Sequence, residues 1–371
     1  MMRPKLLMAC DDVPNYGGAN TTFYILFETF LEAGWDVHYV NIIGHDRLEF
    51  FHGAYGNGVG NPKKLPNVHN LISRNGDSLR FLRELIDRLK PDLMIGKKST
   101  AAYHLKSQRP DLETWYVTSS CYQIKKGISN GILRSEQEAM ERARFNGGPL
   151  PLPYKKELQA MDIIDKIICH TKSTKFWFNY FYPEHKHKIS EKILWSAPLV
   201  HKKLHEQKPD LKDFENRPID ILFVANRWSR AEKNYQLVKQ IIKSCKGLNF
   251  HVVGECEEEI EGAVYHQFLI RDKVIELMKN TKTVVSTSAY DPAPNILFEA
   301  SLMGCNVIAS KNCGNWELCH TDLLVEPYCL ENYIKKVHLS LSRRFQDNLE
   351  HFLQDDPVSQ ISDLLNGAMV R

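Results

Sequence analysis

Two carboxylates stand eight positions apart in YDPAPNILFEASLMGCNVIAS, the segment from Tyr290 to Ser310: they are Asp291 and Glu299. Between them lie Pro292 and Pro294, and Gly304 closes the run before a short apolar string. Proline suits the first position of a helix, where its missing N–H costs nothing. The segment therefore predicts a loop carrying Asp291, then a helix over 295–303 that shows Ile296, Leu297, Ala300 and Met303 to the core. Gly304 stops the helix and NVIAS forms a buried strand. Glu299 then lies about 5 Å along the helix from its start. The unpaired backbone N–H groups at that start form an anion site between the two acids. One polar ligand could meet a carboxylate at each end and N–H groups in the middle. A nucleotide-sugar, with ribose hydroxyls, a diphosphate and sugar hydroxyls, has that distribution. The plainer reading has Asp291 capping the helix and Glu299 on a solvated face.

Cations stand close by in FVANRWSRAEKN (223–234), where the chain passes from strand to helix near the same sheet edge. Arg227 can fork onto phosphate oxygens and Lys233 can act as a point charge. Together they would neutralise a diphosphate as it leaves, which is stabilisation of the transition state. Arg230 reads as an ordinary surface residue. In NYGGAN (15–20), Gly17 and Gly18 would let the backbone approach a ligand closely. His170, a lone histidine on KIICH, reads as structural.

Such groups need strands and helices to hold them. At 371 residues the chain suits two domains. KLLMAC (5–10), a helix over 21–35 with Phe23, Phe27 and Phe30 on one face, and DVHYVNII (36–43) form the strand, loop, helix, strand start of a doubly wound α/β domain. A helix over 78–90 and strands over 92–96, 114–120 and 166–170 continue it. A second series follows: strand 220–225, helix 234–245, strand 249–255, helix 270–280 and strand 283–288. The polar, proline-bounded segment 201–218 reads as the linker. Residues 122–156 read as a surface excursion suited to acceptor contact. KSTKFWFNYFYPEHKHK (172–188) interleaves aromatic and basic residues. The favoured reading is a helix packing Phe176, Trp177 and Tyr180 inward, and rest on a membrane surface is the other.

The net charge of +3, from 48 Lys+Arg against 45 Asp+Glu, argues against nucleic acid as a partner. Nine scattered cysteines with no CxxC pair suggest free thiols in a reducing compartment. No segment reads as a signal peptide or a membrane span, so the expectation is a cytoplasmic protein, with peripheral contact at a membrane's inner face left open.

Together these pieces resemble the retaining glycosyltransferases of family 4, which have the GT-B architecture: α/β, two facing Rossmann-like doubly wound domains with a cleft between them. The resemblance spans most of the chain. The family's E-x7-E element corresponds to DPAPNILFEASLMGCNVIAS, its glycine turn before a glutamate to KNCGNWEL with Glu317, its basic element to ANRWSRAEK, and its glycine loop to Gly17 and Gly18. IIDKIICHTKSTKFWF resembles the family's segment before the linker. The resemblance implies an acceptor-side domain over 1–200, a donor domain over 201–353, and a helix over 354–371 crossing back to the first. It implies a UDP- or GDP-sugar donor and a glycan, lipid-linked or small-molecule acceptor. Arg227 and Lys233 would hold the diphosphate and Asp291 the transferred sugar. Glu299 would hold the ribose, and the backbone at Asn295 and Ile296 the sugar or phosphate. Gly18, beside Gly17, would approach the diphosphate. Transfer of hexosyltransferase type would go by front-face substitution with no protein nucleophile. The chain has no D-x-D triplet, so the expected metal set is none and the expected cofactor is none. Three positions depart from the family: Asp291 is one methylene shorter than the usual Glu, Arg227 and Lys233 lie one residue further apart, and Ser119 and Ser120 stand where a cleft histidine is expected. Two other readings keep the fold: a nucleotide-sugar epimerase, and a non-catalytic module that binds a nucleotide-sugar or glycan.

Overall fold

The structure is a computed structural model that describes residues 5–10, 23, 26–28, 30–44, 67–73, 78–118, 152–191, 211–267, 269–350, 359, 362 and 363. These form two compact units, one drawn from the described residues up to Glu191 and the other from Leu211 to Glu350. The expected domain junction near 200, the excursion up to residue 151 and most of the segment 354–371 lie outside the described residues.

In the first unit the order is β1 Lys5–Cys10, β2 Asp36–Gly44, β3 Val68–Ser73, α1 Ser78–Leu89, β4 Leu93–Lys97, α2 Lys98–Gln108, β5 Thr114–Val117, α3 Leu152–Ile163, β6 Lys166–Ile168 and α4 Lys172–Phe181. The six strands are all parallel in the order β3-β2-β1-β4-β5-β6. Side chains alternate across a strand, so β1 feeds two cores. Leu6, Met8 and Cys10 pack with Phe23, Phe27 and Phe30, while Leu7 and Ala9 pack with Leu82, Leu85 and Ile86 of α1 and Ala101 and Leu105 of α2. Burial on both faces is what an all-parallel sheet requires.

The second unit repeats the plan: β7 Ile219–Arg227, α5 Tyr235–Ser244, β8 Phe250–Glu255, β9 Ala263–His266, α6 Arg271–Lys279, β10 Thr281–Val285, α7 Asn295–Leu302, β11 Asn306–Ser310, β12 Leu324–Val325 and α8 Leu330–Leu341. Its strand order, β12-β11-β10-β7-β8-β9, is that of the first sheet read from the other edge. Both are therefore Rossmann-like, and the order reverses between β1 and β4 and between β7 and β10. Residues 211–218, expected to be linker, belong to this unit's packing. Arg217 is buried and its Nη1 donates to Thr281 O at 2.9 Å.

The helical segment 172–181 buries a different set of rings from the one expected. Trp177 and Phe178 go inward, Tyr180 is only partly covered, and Phe176 is 48% exposed. At the end of the helix Tyr182 also turns in, and it donates to Glu157 Oε2 at 2.7 Å.

The β4–α2 junction has no loop. Gly96 is required there, because a Cβ would lie 2.3 Å from Ala102 N, and Lys98 adopts φ +66°. Lys97 ends β4 and is fully buried. Its Nζ meets His170 Nε2, beyond the end of β6, and lies 3.4 Å from Thr118 O beyond β5. Burial pushes its ammonium down to about 7. Because the folded value lies below the unfolded one, the stability linked to Lys97 is full at alkaline pH and is lost as pH falls toward 7. Lys97→Met is expected to raise the melting temperature of the first unit at pH 7 by roughly 3 °C. Calorimetry should show that advantage shrinking at about pH 10, where the unfolded lysine also sheds its proton. A lower melting temperature at pH 7 would show that the contact with His170 outweighs the cost of burial.

Candidate active site

The carboxyl ends of β7 and β10 flank the point where strand order reverses in the second sheet, the usual ligand position in an open α/β fold. Each end opens into a connection to a helix. From β7 the chain passes through a tight turn, Ala231–Lys233, and Asn234 in a left-handed conformation (φ +54°) before entering α5. From β10 it passes through residues 286–294 before entering α7. Two hydrogen bonds join these connections: Thr287 Oγ1 donates to Lys233 O and Ala289 N to Glu232 O, both at 2.9 Å.

That joining brings Lys233 to Asp291. Nζ lies 2.5 Å from Oδ2, and both side chains are largely covered. Asp291 is held from the other side by the turn after β11, through a bridge to Cys313 and a bond from Gly314 N to its carbonyl at 2.7 Å. It does not cap α7. The cap position belongs to Pro294, whose side chain offers no hydrogen bond, so the helix starts at Asn295 and Ile296 with N–H groups that no side chain caps.

Glu299 is not a solvated residue either. It is 8% exposed, and Oε1 accepts from Arg271 Nε at 2.8 Å. Burial pushes its carboxyl above the usual range, and Arg271 opposes that rise. The inward face of α7 is also wider than its spacing suggests. Every residue from Leu297 to Leu302 is buried, whereas Ile296, expected inside, is only partly covered. An almost fully buried helix has no single apolar stripe to read.

Arg227 ends β7 just past a register shift that begins at Val224. Gly254 on β8 makes room for that shift, since its φ is +119° and a Cβ would lie 1.8 Å from Ala225 O. Arg227 Nε pairs with Glu255 Oε2 at 2.9 Å, and the side chain is more than half exposed. The structure thus joins Lys233 to Asp291 and Glu299 to Arg271, and gives Arg227 a separate partner. Gly17, Gly18, Ser119 and Ser120 lie outside the described residues. Arg271 is the residue that reading the sequence missed. Its one signal is a cation at the first position of a helix, where the macrodipole disfavours positive charge. Among the described residues no trio of His, Cys, Asp or Glu side chains is placed to hold a metal ion, all eight cysteines are free thiols, and no helix is long and apolar enough to cross a membrane.

Residues 218–342, the part that carries this site, match the family described as glycosyl transferases group 1. No curated protein matches the chain in sequence. In structure the chain is similar to the apo form of the lipopolysaccharide outer core galactosyltransferase WaaB, with a TM-score of 0.61 and 11% identity over 94% of each chain. It is similar to HepE of Anabaena, solved with UDP and glucose, with a TM-score of 0.62 and 12% identity over 98% of this chain and 100% of that one. It is also similar to sucrose-phosphate synthase of Thermosynechococcus elongatus, with a TM-score of 0.63 and 14% identity over the same shares. The fold is that of the GT-B glycosyltransferases, with two Rossmann-like domains.

A largely covered ion pair leaves an uncompensated charge when one partner is removed. Lys233→Met and Asp291→Asn are each expected to lower stability, and the double variant by less than the sum, with a coupling of roughly 1–2 kcal/mol. Urea unfolding of the four proteins measures it, and strict additivity would show that the pair contributes nothing.

Proposed function

We propose that this chain is a glycosyltransferase of hexosyl type, moving a sugar from a UDP- or GDP-sugar to a hydroxyl of a glycan, lipid-linked or small-molecule acceptor with retention of configuration and without a metal. One observation carries the reading. In a domain that matches the glycosyl transferases, Lys233 pairs with Asp291 in the connection before α7, and Arg271 pairs with Glu299 on that helix, beside the strand-order reversal. That HepE was solved with UDP and glucose supports a nucleotide-sugar as the donor.

In this reading the diphosphate lies against the N–H groups of Asn295 and Ile296 and meets Lys233. An ammonium has three donors, so Lys233 can keep Asp291 while bonding a phosphate oxygen. Asp291 accepts from hydroxyls of the transferred sugar and Glu299 from those of the ribose. Arg227 reaches the phosphates from its exposed position at the end of β7. The bond between the anomeric carbon and the phosphate oxygen breaks as the acceptor oxygen bonds to the same face, and the departing phosphate takes the acceptor's proton. Lys233 and Arg227 stabilise the charge that grows on the leaving group. No protein nucleophile takes part. The protein is read as cytoplasmic.

A thermal-shift panel of UDP, GDP and ADP with their common sugars, with and without EDTA, tests this on the wild type, Glu299→Ala and Arg227→Ala. One nucleotide family should raise the melting temperature regardless of EDTA, and both variants should lose the effect. A ligand at 100 times its dissociation constant stabilises by about 2.7 kcal/mol, so a real donor is visible. No shift from any nucleotide at such concentrations would overturn the reading.

A further inference from the structure

Glu299 can hold ribose hydroxyls only as a carboxylate, because a protonated carboxyl gives up acceptor capacity and presents an O–H. Its setting works against that state. It stands on the fifth residue of α7, buried, and desolvation favours the neutral form. Among the described elements, β11, the Trp316–Leu318 turn and α6 make the main packing against α7. β11, with the sequence NVIAS, brings no ionisable side chain, and the turn brings Glu317, an acid that cannot favour a second anion. Among the described residues the cation that meets Glu299 is Arg271 of α6, at the first helical position, where a positive charge is electrostatically disfavoured. Arg271 is nearly half exposed, so water is available to it. It nevertheless turns to α7 and donates from Nε to Oε1 at 2.8 Å. A guanidinium keeps its charge throughout the physiological range, and the bond from Nε anchors one carboxylate oxygen, Oε1.

We propose that Arg271 is a positioning residue of the donor site, which keeps Glu299 ionised and orients its carboxylate toward the ribose hydroxyls of a nucleoside diphosphate. This rests on the donor-site reading given above.

Calorimetric titration of the full-length protein with UDP, or with GDP or ADP where the panel selects one of them, tests it between about pH 5.5 and about pH 8.5. Affinities are read as ratios to wild type at each pH, because the terminal phosphate of a nucleoside diphosphate itself titrates at about pH 6. Arg271→Met should bind about tenfold more weakly at the acid end and recover toward wild type at the alkaline end, as the unsupported Glu299 loses its proton. Arg271→Lys, which keeps the charge but not the Nε donor, should give a ratio to wild type that is flat with pH and a smaller loss. Arg271→Met that binds like wild type, or that is weakened by the same factor at every pH, would overturn the proposal. Glu299→Gln separates this from the reading beneath it. If Glu299→Gln binds UDP normally, the assignment of Glu299 to the ribose falls and takes the role of Arg271 with it. If Glu299→Gln loses binding while Arg271→Met keeps it at all pH values, the donor site stands and only the role of Arg271 fails.

Discussion

A carboxylate taken out of water must be met by a cation or by several N–H donors, or it gives up its charge. In the second unit both acids of the Asp291–Glu299 segment are covered, and each is met by a cation from a different element. Lys233 comes from the connection after β7 and Arg271 from the start of α6. These long-range pairs tie the loops at the sheet's carboxyl edge into one arrangement. The bonds from Thr287 Oγ1 and Ala289 N and the bridge between Asp291 and Cys313 hold the acid's loop beside the cation. Electrostatics and backbone geometry therefore specify the same site, and a ligand would meet charges already in position rather than charges it must collect.

The repeated strand order explains where this site falls. Each sheet begins at a central strand, grows outward to one edge, then returns to the other side of the starting strand. The reversal leaves the loops after β7 and β10 without a crossing helix between them. Lys233 and Asp291 come from those two loops. In the first unit the same position belongs to the ends of β1 and β4, which are the buried Cys10 and Lys97.

Much of this was legible in the sequence. The apolar runs at 5–10, 220–225 and 306–310 announced strands, and Gly304, at φ +68°, ended α7 as its position suggested. Lys233 and Asp291 were singled out by their place at strand–helix junctions, and Glu299 by its eight-residue spacing from Asp291. Other elements gave weaker signals. β3 and β9 are edge strands, and α2 opens on Lys98 with scattered apolar positions. The partners of each acid were beyond reach for another reason. Arg271 lies 28 residues from Glu299 and Lys233 lies 58 from Asp291. Side-chain pairing across such distances is decided by the register of the sheet, which no local pattern records. The same holds for Pro294, which took the cap position that Asp291 was a candidate to fill.

The direct passage from β4 into α2 also constrains how such a chain can change over time. Insertions accumulate where a connection has slack, and most strand–helix connections in this fold have some. Here the last strand residue is also the residue before the first turn of the helix, and Gly96 leaves no space for even a methyl group. An added residue would rotate α2 by about 100° and turn its buried side outward. A lineage diversifying its substrates would have to do so through its other connections, keeping this corner as the fixed end from which they are measured.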